Sequence, residues 1–174
     1  MIIRYKLIFI LTGLVIIGIG FFFGKEHIVQ AALKEGQKFD DWTVTCTKDE
    51  KKKQTCLLTQ QIPVTKDDKT QIIAVYQIGY FGKDKTLKMI QIVPLGINLQ
   101  TGTSIISGDK LIAPGKFVVC TAMGCQALAD ISDDDLNIIL SNTQNFLGLM
   151  GSDGKQANIS ISNKGLKEGL EALK

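Results

Sequence analysis

A chain of 174 residues carries 20 lysines and arginines against 17 aspartates and glutamates, and 45% of its residues are hydrophobic. That length accommodates one domain with a short appendage, and a net charge of +3 is too weak a field to collect nucleic acid. With one histidine, His27, and four cysteines, a histidine-dependent triad or a histidine-rich metal centre is excluded.

The appendage comes first. Leu7 to Phe23 is an uncharged run of seventeen residues behind Arg4 and Lys6, the layout of an export signal and also the lower length limit of a membrane span. Val29-Gln30-Ala31 suits cleavage before Ala32. Residues 1–31 therefore read as a signal peptide or signal anchor and residues 32–174 as the exported domain, placed in the periplasm or secreted. If residues 7–23 are retained, they anchor it in the inner membrane with Arg4 and Lys6 on the cytoplasmic side. Without the leader 17 basic and 16 acidic side chains remain, a net +1. The only basic cluster, Lys51-Lys52-Lys53, follows Asp49 and Glu50 and reads as a solvated loop.

Phe39 to Thr47 places Trp42, Val44 and Cys46 on one side and Thr43 and Thr45 on the other, the period of a half-buried strand. On that reading Asp40 and Asp41 point to opposite faces and cannot flank one bond. Further strands are expected at Thr55 to Ile62, Gln71 to Tyr80, Leu87 to Val93 and Lys116 to Cys120. Turn signals separate them at Lys66 to Lys69, Gly82 to Lys85 and Gly108-Asp109. Ser132 ahead of Asp133, Asp134 and Asp135 predicts a capped helix continuing through Leu136, Ile139 and Leu140. An EF-hand loop from Asp130 fails, because Asp135 and Ser141 occupy positions that require Gly and Glu. Ser152-Asp153-Gly154 between two apolar runs predicts a hairpin, and Asn163 is the expected cap of a last helix that docks Leu166, Leu170 and Leu173.

Four cysteines allow three connectivities. Cys46 with Cys56 and Cys120 with Cys125 are the favoured pairs, each bracketing a polar or glycine-containing connection, and an oxidising compartment favours disulfides over zinc. Neither pair has the spacing of a thioredoxin-like motif. Trp42 is expected to pack in the core over a disulfide. Tyr76, Tyr80 and Phe81 are the candidate contact surface for a protein partner. No catalytic, metal-binding or cofactor-binding residue is expected, so the chain reads as non-enzymatic, the alternatives being a membrane-tethered structural subunit of an envelope complex or an envelope redox or enzymatic factor.

Several of these pieces together resemble the invasion-associated locus B family. They are Phe39 to Trp42 shortly before Cys46, Cys56, Pro94-Leu95-Gly96 ahead of Leu99, and Cys120 to Ala127. The terminal Ser162-Asn163-Lys164-Gly165-Leu166 with Leu170 to Leu173 completes the set. The resemblance spans Phe39 to the C-terminus, departing at Leu166, where Phe is expected. It implies a mainly β, immunoglobulin-like sandwich with one or two short helices, in a bacterial envelope protein connected with host-cell invasion. No catalytic residues come with it.

Overall fold

Side chains that alternate between buried and half-exposed fold this chain into strands that turn one face inward. The computed structural model describes residues 33–48, 50 and 54–174. The expected leader, with His27 and the expected cleavage position, and Lys51 to Lys53 lie outside the described residues. Ala32–Lys174 clusters as a unit of its own. Among the described residues no helix is long and apolar enough to cross a membrane.

The strands are β1 (Lys38–Phe39), β2 (Trp42–Lys48), β3 (Gln54–Lys66), β4 (Lys69–Phe81), β5 (Thr86–Val93), β6 (Thr103–Ser107), β7 (Lys110–Thr121), β8 (Gly124–Asp130), β9 (Asn145–Met150) and β10 (Gln156–Ile161). Helix α1 (Asp133–Ser141) joins β8 to β9, and α2 (Leu166–Ala172) follows β10. The sheet order is β1-β2-β3-β4-β5-β8-β7-β6-β9-β10, with every neighbouring pair antiparallel. The mainly β expectation with two short helices therefore holds.

The long ladder curls back on itself. Indole Nε1 of Trp42 donates to the Ser162 carbonyl at 2.9 Å, and Ser162 N–H donates to Oε1 of Gln60 at 3.0 Å. The core fills the space between the two halves, with Trp42, Val44, Leu58, Tyr76, Ile78 and Met89 from one and Ile105, Leu147 and Ile161 from the other. Full burial of such side chains is worth about 1.5–3 kcal/mol each. Leu166 and Leu170 of α2 dock into this core as expected.

Local chemistry sets the ends of the elements. Asp67 and Asp68 both take positive φ, 50° and 59°, so the turn between β3 and β4 is a tight two-residue one. Both strands run past their expected limits into it. Ser132 forms a capping box with Asp135, its side chain accepting from Asp135 N–H while the carboxylate accepts from Ser132 N–H.

Two expectations are corrected here. Asp40, at φ 47°, and Asp41 form a turn between β1 and β2, so they do not lie on opposite faces of one continuous strand. Asn163 does not cap α2, which begins after Gly165 without a side-chain cap. Its Nδ2 instead donates to the carbonyls of Ile139, Leu140 and Asn142, serving the C-terminus of α1. Gly165 has φ 75°, and a Cβ there would lie 2.1 Å from the Phe39 carbonyl oxygen, so glycine is what lets the chain pass beneath β1 into α2.

Candidate functional site

Three groupings of side chains could carry function, and burial separates them. The first is the aromatic stretch of β4. Tyr76 is fully buried and donates its hydroxyl to the Ile159 carbonyl at 3.3 Å, so it is a core residue and no partner can touch it. This corrects its place in the expected contact surface: strand alternation turns Ala74, Tyr76 and Ile78 inward together. Burial raises its phenol pKa well above the usual value. Tyr80 and Phe81 are half-buried, and Tyr80 packs against the core. With Cys56, Lys85 and Leu173 they line a shallow depression at one end of the sheet.

The second grouping is polar. Ser162 Oγ bonds to the Asp41 carboxylate at 2.6 Å and accepts from Lys164 N–H at 3.2 Å. A serine beside a carboxylate lacks the imidazole that would take its proton. The pair instead ties the turn after β1 to the chain after β10. Lys88 and Asp130 form an ion pair between facing residues of β5 and β8. On the outer face of β2 and β3, Thr45 and Thr59 share a hydroxyl bond of 2.6 Å, and Gln77 donates to Thr59. No group of three or more His, Cys, Asp or Glu among the described residues could hold a metal ion.

The third grouping is apolar and uncovered. At the end of β5 the chain leaves through Pro94 and Leu95, opposite the hairpin tip Ala122-Met123 and the first half of β4. Ile72, Ile73, Val75, Leu95 and Met123 line a groove of about 310 Å³ between them. Met123 is 91% exposed, Leu95 57% and Ile72 49%. Val64 on β3, and Val118 and Val119 just before Cys120, are exposed as well. Gly124 takes φ 132°, and a Cβ there would lie 2.4 Å from the Val93 carbonyl oxygen; its absence lets the hairpin tip close against β5 as one wall of the groove.

Both disulfides join directly facing residues, Cys46 to Cys56 across β2 and β3 and Cys120 to Cys125 across β7 and β8. They sit at opposite ends of the sheet. Cys46 and Cys56 are half-buried against the core near Tyr80, which faces Leu87 at the start of β5. Cys125 faces Val93 at the finish of β5 and is buried, while Cys120 is exposed. Trp42 shares a strand face with Cys46 but stands four residues away with Val44 between, about 13 Å along β2. Its ring closes the sandwich through Ser162 at the other end of that strand.

Sequence reasoning reached the half-buried Tyr80 and Phe81 and missed the groove. The signal available was Pro94-Leu95-Gly96 and Ala122-Met123-Gly124, two turns each carrying one large apolar residue with no strand partner.

The model of the family described as "Invasion associated locus B (IalB) protein" matches residues 42–174. A crystal structure of invasion associated protein B from Bartonella henselae is similar in fold, with a TM-score of 0.67 at 15% sequence identity. The likeness covers 79% of this chain and 92% of that one. No curated protein matches the chain.

Proposed function

The chain belongs to the invasion associated locus B family, and from that premise we propose that it is a non-enzymatic protein of the bacterial cell envelope that acts through protein contacts. The leader delivers it to the periplasm or beyond, and uncleaved residues 7–23 would hold it at the inner membrane. It needs no cofactor, and a contribution to host-cell invasion follows from the contacts it makes.

The observation that carries this reading is the uncovered groove of Ile72, Leu95 and Met123. Large apolar side chains gathered at one place and left in water mark a site of contact. The polar groups point the same way, since Ser162, Asp41, Lys88 and Asp130 are engaged with one another in pairs that hold strands together.

Crosslinking in intact cells tests it, comparing the native chain with the double variant L95K/M123K. Two lysines in the groove should lower the yield of the crosslinked partner by about ten-fold, the scale of losing an interface anchor. An unchanged yield from folded variant protein would remove the groove from the reading. A phenotype lost on replacing Ser162 or Asp130 alone, with folding intact, would favour an enzyme.

A further inference from the structure

β4 outlasts its neighbour at the groove. The last rung between β4 and β5 is Val75 opposite Ile92, and β5 ends one residue later at Val93. β4 begins six residues before that rung, at Lys69, so Thr70 to Ile72 face β3 on one side and no strand on the other, and Ile73 is the extra residue of a bulge between Ile72, which faces Pro63, and Ala74, which faces Ile62. Among the described residues, no loop or turn backbone bonds to that open side. Pro63, which would blunt an edge, stands on β3 rather than β4, and the charges gather at the tip, Lys66 to Lys69. An unpaired row of N–H and C=O groups is a template for one more strand, and here the wall facing it is apolar.

Resting on the contact reading above, we propose that the open edge of β4 takes up an extended apolar segment of a partner protein as an added strand along Thr70 to Ile73. Backbone groups of the segment pair with β4, and its alternate side chains enter the groove against Leu95 and Met123. The described chain enters at the opposite end of the sheet, where Glu35 accepts from Cys46 N–H and Gly36 N–H donates to the Val44 carbonyl, and the edge itself is left for a segment of another molecule. The net charge of +1 beyond the leader gives no preference for a charged segment, so the partner segment is uncharged and apolar at alternate positions.

Random peptides about ten residues long, the usual upper length of a strand, can be selected on phage against the oxidised full-length chain. The winners are then remade with alternate backbone nitrogens methylated. Expected are uncharged sequences with alternating apolar residues that compete with cellular crosslinking. They should lose about ten-fold in affinity in one of the two methylated registers but not the other, and lose it again on M123K. Binding through the groove that ignores methylation in both registers would overturn strand addition and leave the contact reading standing. If no peptide is selected while L95K/M123K still abolishes partner capture, the partner presents a folded surface and the proposal fails. A concentration-dependent dimer dissolved by M123K would overturn it in favour of a second copy. No peptide together with unaffected capture would remove both readings.

Discussion

The two ends of the sheet carry the same device and use it differently. At the end near Tyr80, the Cys46–Cys56 bridge lies half-buried against the core, and Leu173, just after α2, lies beside Cys56 and Tyr80. At the other end the Cys120–Cys125 bridge ties a hairpin whose tip, Met123, stands in water beside an open strand edge. A covered end spends its apolar side chains on holding the fold. An uncovered end leaves them free for another molecule, and its crosslink, with Cys125 in the core and Cys120 in water, holds the tip in shape.

This contrast can be broken most forcefully at the point where the ladder closes. Trp42→Ala removes a fully buried ring and its bond to Ser162, and should cost about 3–5 kcal/mol, read as a fall in the urea midpoint with unchanged slope. Next come the crosslinks. Replacing Cys46 and Cys56 together by Ala should cost about 2.7 kcal/mol, and replacing Cys120 and Cys125 about 2 kcal/mol, from the entropy of loops with sequence separations of 10 and 5. Chemical denaturation orders the two. A larger loss at the Cys120–Cys125 end would mean that the hairpin tip supports the fold after all.

Tyr76 gives a smaller effect with a pH signature. Its folded pKa is raised by burial above the unfolded value near 10. The folded state therefore keeps a proton that the unfolded state releases. The stabilisation is fully present below about pH 10 and declines as pH rises toward the folded pKa, by about 1.4 kcal/mol per unit. Tyr76→Phe should cost about 0.5–1.5 kcal/mol at neutral pH and remove about 1 kcal/mol of the decline between pH 10 and 11, where the unfolded phenol is still only part-ionised at the start. An equal decline in both proteins would show that the ring does not stay protonated. The smallest expected change in stability is that of L95K/M123K, within about 0.5 kcal/mol, since both side chains face water. A thermal scan that found it much less stable would mean that the groove is part of the core.

Much of the fold could be read from the sequence because the physics is local. The turn at Lys66 to Lys69, the capping box at Ser132 and the hairpin around Asp153-Gly154 each follow from a few adjacent residues. Two strands escaped for a reason that is also physical. β6 turns Thr103 and Ser107 inward beside Ile105, where Gln91 and the Ile138 carbonyl meet their hydroxyls, so its buried face is polar in composition. β8 buries Cys125, Ala127 and Ala129, small residues with weak strand preference. Tyr76 lies with Ala74 and Ile78 on the more apolar face of β4, opposed by Gln77 and Gly79, and grouping it with Tyr80 and Phe81 as sequence neighbours overlooks that signal. The groove was invisible because Ile72, Leu95 and Met123 are brought together by ladder register across three separate elements.

Closure through Trp42 and Ser162 joins residues 120 positions apart. For a chain synthesised N-terminus first, this sets a timetable. The first long strand can meet its capping partner only when the last dozen residues have emerged, because Gly165 must pass under Phe39 and α2 must dock. Contacts of such span form late and slowly. Until then the growing polypeptide lacks its final closure, and its first strands wait with one face of the core uncovered.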